Sequence, residues 1–177
     1  MSYSYILSEF NEWYTPKSVV DYFGKFDYDP ATTDGKAKEF GVKVYDTILT
    51  DGLKRDWSKF KRNWLNPPFT RKKEFIQKAV EIFNKVHNEI YIVIPINYLT
   101  TKELHKIVKG ALIFLPNGRI KFYKANDKKS SPVFGTVILK LQDTWELKVI
   151  DMNDLEDSIH NLYGEPTIIE YDEAESI

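Results

Sequence analysis

The segment from Asn63 to Ile94 constrains the fold most, because a strand, a proline stop, an amphipathic helix and a long apolar strand follow one another without a spacer. Asn63-Trp64-Leu65 is a short buried strand that Asn66-Pro67-Pro68 must end, since proline lacks the N–H a sheet needs. Phe75, Ala79, Ile82, Phe83 and Val86 then recur at helical spacing, with lysines and glutamates between them. Ile90 to Ile94 is uniformly apolar, as a strand covered on both faces must be. A crossover helix between two strands makes them parallel neighbours.

The rest of the chain extends this pattern. Thr15-Pro16 predicts a helix start, running through Val19, Val20 and Phe23 to Gly24. Phe26 to Asp29 alternates as a strand and breaks at Pro30 into the small polar run Ala31-Thr32-Thr33-Asp34-Gly35. Further strands are expected at Val44 to Leu49, Ala111 to Leu115, Thr136 to Leu141 and Glu146 to Ile150, with a short helix at Lys102 to Val108. The last two strands, joined near Gln142-Asp143-Thr144, read as an antiparallel hairpin, and the polar segment Lys124 to Ser131 reads as a loop. The expectation is an α/β domain over residues 1–150, with a mostly parallel sheet and a C-terminal antiparallel hairpin, followed by an acidic extension over 151–177.

With 42% hydrophobic residues the chain can bury a core, so extensive disorder is excluded. The absence of cysteine excludes disulfides and thiolate metal sites, and His87, His105 and His160 make no ligand spacing, so no metal is expected. The first residues lack a basic start followed by an apolar run, and the stretch around Ile90 to Ile96 is too short to span a bilayer. A cytoplasmic protein with no membrane partner is expected.

The net charge of -1 conceals an asymmetry. Residues 151–177 hold nine of the 26 acidic side chains and none of the 25 basic ones, which leaves the first 150 residues at +8. Between Lys54 and Lys73 eight basic residues face one acid, Asp56. Lys54, Arg55, Lys59, Lys61 and Arg62 are therefore candidates to meet a polyanion, as are Arg119 and Lys121 further on. Charge alone fits a solvated lysine-rich face equally well.

Asn66-Pro67-Pro68-Phe69 lies just beyond the carboxyl end of a strand, where open α/β sheets bind ligands. Proline fixes the backbone, and Asn66 offers an amide oxygen as acceptor. These groups suit an aromatic amine, a weak nucleophile because its lone pair is delocalised. Two acceptors, the Asn66 amide oxygen and the Pro67 carbonyl, would hold the two amine hydrogens and draw the nitrogen toward tetrahedral geometry, while Phe69 stacks on the base. The same four residues also fit a plain strand end with a capped turn.

The order of several segments resembles the phage-type DNA N-6-adenine methyltransferase family over most of Glu12 to Leu141. The pieces are Glu12-Trp13-Tyr14-Thr15-Pro16, Phe26-Asp27-Tyr28-Asp29-Pro30-Ala31-Thr32, Asp51-Gly52-Leu53 with Trp57, and Trp64-Leu65-Asn66-Pro67-Pro68-Phe69. Gly118-Arg119-Ile120-Lys121-Phe122 and Ser131-Pro132-Val133-Phe134-Gly135 complete the set. The resemblance implies a Rossmann-like fold, S-adenosylmethionine as cofactor and double-stranded DNA as substrate. It implies catalytic roles for Asn66, Pro67, Pro68 and Phe69. It implies cofactor contacts at Trp13, Tyr14, Thr15, Pro16, Asp29, Ala31 and Asp51, with Asp27 less suited by strand alternation. Trp13 and Tyr14 also fit core packing, and the aspartates also fit turns.

Two features depart from the common methyltransferase pattern. Threonine stands where the first glycine of a G-x-G turn would sit, and about three dozen residues separate that turn from Asn66. A reduced fold, with short or missing helices on one side, follows. Two other readings share the motif: a protein glutamine methyltransferase, whose amide nitrogen poses the same electronic problem, and a non-catalytic DNA-binding relative.

Overall fold

Proline, glycine and left-handed residues set most element ends. In the computed structural model, which describes residues 13–123, 129–130 and 134–157, α1 (Lys17–Tyr22) starts after Pro16, whose φ of -64° suits a helix entry. It stops at Phe23 and Gly24, the latter at φ 87°. After β1 (Tyr28–Asp29) comes α2 (Asp34–Phe40), capped by the Thr33 hydroxyl, which accepts from Lys36 N at 3.3 Å, and closed by left-handed Gly41. This helix lies in a stretch whose sequence suggested only a polar break. β2 (Val44–Tyr45) and β3 (Arg62–Leu65) precede the long α3 (Lys72–Val86), which ends at left-handed His87. β4 (Glu89–Pro95), α4 (Ile96–Leu99), α5 (Lys102–Ile107) and β5 (Ala111–Pro116) follow. β6 (Phe122–Tyr123) pairs with β7 (Lys129–Ser130), so the segment expected as a loop contributes a strand there; its residues 124–128 and 131 lie outside the described residues. β8 (Thr136–Leu141), β9 (Trp145–Ile150) and α6 (Met152–Asp157) complete the order. No helix among the described residues is long and apolar enough to cross a membrane.

The seven-stranded sheet has the order β2-β1-β3-β4-β8-β5-β9. Strands β2, β1, β3 and β4 are mutually parallel, and β5 and β9 are parallel to each other. β8 is antiparallel to both of its neighbours, β4 and β5. This mixed, mostly parallel α/β sheet is compatible with a Rossmann-like architecture. The expected hairpin is not formed: β5 lies between β8 and β9. Gly110 accounts for this. A Cβ there would meet the backbone of Gln142, Asp143 and Thr144 at 2.5–2.6 Å, so the β8–β9 connection crosses tightly over the start of β5 and delivers β9 to its far side.

Strand alternation feeds two cores. On one face Leu65, Ile90, Ile92, Ile94, Val137 and Leu139 pack against Phe75, Ile76, Ala79 and Ile82 of α3. Burying each large side chain contributes about 1.5–3 kcal/mol. On the other face Trp64, Tyr91, Val93, Phe114 and Ile138 meet Val19 and Val20 of α1. The route from β2 to β3 carries no α-helix, only the single 3-10 turns Gly52–Lys54 and Trp57–Lys59. Buried Trp57 stands in for a helix there: its Nε1 donates to Gly52 O at 2.7 Å and its ring packs near Tyr28 and Phe75.

Candidate functional site

The strand order reverses direction between β1 and β3, since β2 lies outside β1 while β3 leads the other way. Loops leaving such a switch point diverge and open a crevice at the carboxyl ends of the strands. A cavity of about 270 Å³ occupies that place, close to the lower end of small-molecule sites, which run roughly 300–1,000 Å³. Its walls are Pro30 to Asp34 after β1, Thr47 to Leu49 after β2, Asp51 and Gly52, and Asn66 to Arg71 after β3. Trp13, Tyr14 and Phe75 close it. A smaller cavity adjoins it, lined by Lys72, Val93, Ile94, Pro95, Phe122, Phe134 and Thr136. The two share Trp13, Asn66, Pro67 and Phe69.

Asn66 is held in one orientation. Its Nδ2 donates to the Trp13 carbonyl at 2.6 Å, which leaves Oδ1 as an acceptor with no partner among the described residues. The Pro68 carbonyl accepts from Arg71 N at 3.1 Å, whereas the Pro67 carbonyl has no donor among the described residues. Two acceptors thus stand free on adjacent residues. Phe69 is 43% exposed and meets Phe134 edge-on at 5.6 Å, so it is no core residue.

Asp51 carries a left-handed backbone at φ 56°, unusual for a residue with a side chain. Its Oδ1 accepts from Leu53 N at 3.3 Å and from Arg71 Nη1 at 3.1 Å, tying the loop before β3 to the loop after it. Arg71 is the one basic residue among the described residues lining the larger cavity, and its other terminal nitrogen pairs with Glu74. Gly52 packs so closely on Pro30 that a Cβ would lie 2.0 Å from the Pro30 carbonyl oxygen.

Of the expected cofactor contacts, Trp13, Tyr14, Ala31 and Asp51 line the cavity and Thr15, Pro16 and Asp29 do not. Asp29 is buried and turned inward, accepting from Ala31 N at 3.0 Å. Burial pushes its carboxyl up to about 7 against the hydrogen bonds from Ala31 and Thr32. Thr15 is 2% exposed, and its Oγ1 has no hydrogen-bond partner among the described residues. Pro16 serves as the helix entry of α1. Thr32, Thr33, Asp34, Ile48 and Leu49, which were not among the expected cofactor contacts, line the cavity instead. Their signal was positional: they follow β1 and β2.

The basic residues separate by strand direction. Lys59, Lys61 and Arg62 stand at the amino end of β3, and Asn66 at its carboxyl end. Arg62 is committed internally, to Glu89 at 2.8 Å, Lys25 O at 2.8 Å and Phe23 O at 2.6 Å. Arg55 gives Nε and Nη2 to buried Asp46, at 2.5 and 3.1 Å. Burial alone would raise the Asp46 carboxyl, but the bonds from Arg55 and Tyr28 outweigh it and hold it below the usual carboxylate range. Arg55 and Arg62, expected to meet a polyanion, thus each tie parts of the fold together through these bonds. Lys54, Arg119 and Lys121 are exposed, and the last two follow the carboxyl end of β5, on the cavity side of the sheet. Among the described residues no group of three or more His, Asp or Glu is placed to hold a metal.

A sequence profile for the family described as DNA N-6-adenine-methyltransferase (Dam) matches residues 6–158. The DNA N-6-adenine-methyltransferase of Escherichia phage T1 is 38% identical over 87 residues, 47% of this chain. The match spans 35% of that protein's length.

Proposed function

The chain belongs to the DNA N-6-adenine-methyltransferase (Dam) family, and from that premise we propose that it methylates the exocyclic amine of an adenine extruded from double-stranded DNA, with S-adenosylmethionine as donor and a reduced Rossmann-like methyltransferase fold as scaffold. One observation carries the reading: two cavities meet at Asn66, Pro67 and Phe69, where two acceptors have no donor among the described residues. The larger cavity suits the cofactor, and the smaller one, about 20 Å³ as it stands, takes the base only when Phe134 moves off Phe69.

The larger cavity fits the cofactor chemically. Asp34 and Asp51 offer acceptors for amine and hydroxyl donors, Arg71 offers a cation for a carboxylate, and Ile48, Leu49 and Phe75 offer apolar walls for a flat ring. When bound, S-adenosylmethionine supplies an electrophilic methyl group. The protein's part is placement. Oδ1 of Asn66 and the Pro67 carbonyl accept the two amine hydrogens, and the Trp13 carbonyl keeps the amide from turning over. Phe69 stacks on the base once Phe134 moves aside. Arg119, Lys121 and Lys54 meet backbone phosphates near the mouth.

The test is direct. Duplex DNA is incubated with the protein and cofactor carrying a labelled methyl group, then digested to nucleosides. Label in N6-methyladenine supports the reading. Label confined to protein glutamine, or cofactor bound with no transfer, would replace it.

A further inference from the structure

Lys72 is the feature that the reaction as described leaves unused. It is the first residue of α3 and lines the smaller cavity together with Asn66. Its Nζ lies 3.7 Å from the centre of the Tyr98 ring and 5.7 Å from that of Phe69. Tyr98 is 7% exposed, so the ammonium stands over a buried aromatic face. Among the described residues it makes no hydrogen bond and no ion pair. The carboxylate nearest in chemistry, Glu103, is taken at 3.1 Å by Lys73 and at 2.9 Å by the Tyr98 hydroxyl. Burial lowers the Lys72 pKa, with the charge of Glu103 opposing. Its neighbours Arg71 and Lys73 both have carboxylate partners.

A half-buried ammonium seated on an aromatic face, with no hydrogen-bond acceptor among the described residues, keeps its donors for water or for a ligand that enters the cavity. Resting on the reading of the smaller cavity as the base site, we propose that Lys72 is a substrate-binding residue that donates a hydrogen bond to a ring nitrogen of the target adenine. The remaining walls are flat and apolar, Phe69, Phe134, Phe122 and Pro95 among them, which suits a planar base rather than a hydrated phosphodiester. A purine held by its amine at Asn66 turns an edge of bare acceptor nitrogens to the cavity wall. An ammonium there reads that edge while the Asn66 oxygen reads the amine, so the two together specify adenine by one donor and one acceptor.

The experiment uses the full chain on a duplex carrying a mapped recognition site, with the target adenine replaced in turn by its 1-deaza, 3-deaza and 7-deaza analogues. Lys72→Met keeps the length of the side chain and removes the donor. A charged hydrogen bond of ordinary strength makes this a loss of about 10- to 100-fold in kcat/KM on natural DNA, with cofactor affinity and Tm unchanged. One analogue should cost the wild type the same factor and cost Lys72→Met nothing more. Lys72→Gln, which keeps a donor, should recover part of the loss. Unchanged kinetics in Lys72→Met, or losses that multiply for every analogue, would overturn the proposal. So would non-additivity with a methylphosphonate beside the target instead of with a ring analogue, which would assign Lys72 to a phosphate. Absence of any transfer by the wild type would instead fail the function proposed above. The comparison is then read from binding to duplexes with a mismatched target, where the same non-additivity is required.

Discussion

Gly52→Ala isolates the geometry of the larger cavity in one methyl group. The Gly52 backbone is not left-handed, so alanine is not excluded by conformation, and only space is at issue. The added Cβ would lie 2.0 Å from Pro30 O, 2.8 Å from its carbonyl carbon and 2.9 Å from its Cα. Since such distances essentially never fall below 3.0 Å, the Asp51-Gly52 loop and the Pro30-Ala31 turn must separate by about 1 Å. Both are walls of the same cavity. Overpacking of this kind costs about 1–3 kcal/mol, which for a chain of this size lowers Tm by about 2–12 °C. A displacement of about 1 Å in a positioned site costs on the order of 100-fold in rate. Calorimetry with S-adenosylmethionine, a thermal melt and a turnover assay on DNA would be read together. Weaker cofactor binding with a modest Tm loss is expected. Wild-type affinity and turnover in a well-folded Gly52→Ala protein would refute the assignment of these loops to the cofactor.

Phe69→Tyr and Phe69→Trp should stay active, while Phe69→Ala loses roughly 1–3 kcal/mol of stacking with little change in Tm, and the loss should shrink on a mismatched target; a large Tm loss with no mismatch effect would contradict the stacking role. Charge reversal at Lys59 and Lys61 should leave the slope of log affinity against log salt unchanged. Reversal at Arg119 and Lys121 should flatten it, by about 0.9 for each phosphate no longer neutralised; a salt titration of DNA binding measures both. Asp29 has a folded pKa of about 7, raised above its unfolded value. The folded state therefore holds the proton more tightly, and stability should fall as pH rises from about 4 through 7 and then level off. Asp29→Asn keeps the acceptor for Ala31 N and should flatten that stretch of a Tm-versus-pH curve; an equally steep curve would show that Asp29 does not titrate there.

What the sequence disclosed was whatever local periodicity encodes. The run from Arg62 to Pro95 was legible because α3 has a full apolar face and β4 is apolar from Ile90 onward. Helix α2 was not, since Ala37 is its one buried residue and, with Phe40 half-buried at its end, seven residues make no more than one period. The hairpin failed because β9 is placed by a non-local event, the passage of its connection over Gly110. The basic window from Lys54 to Lys73 is divided by the fold. It runs along β3 from one end of the sheet to the other, so a linear charge count merges two ends that are a strand length apart. Asn66 to Phe69 could be found in the string. Thr32 and Phe134 stood only within longer segments and Lys72 only within a charge count, because it is the fold that brings them to the cavities.

The proposed methyl transfer gives Asn66 the role of oriented acceptor between the two cavities. The most direct measurement is the single-turnover rate of methyl transfer by Asn66→Ala on duplex DNA, with the Kd for S-adenosylmethionine determined on the same preparation. Removing one pre-positioned polar group of this kind costs about 100- to 1,000-fold in rate. At least that loss is expected, with a nearly unchanged cofactor Kd, because the acceptor acts mainly in the transition state. Transfer at the wild-type rate, or a rate that falls only in proportion to cofactor affinity, would contradict the role given to Asn66.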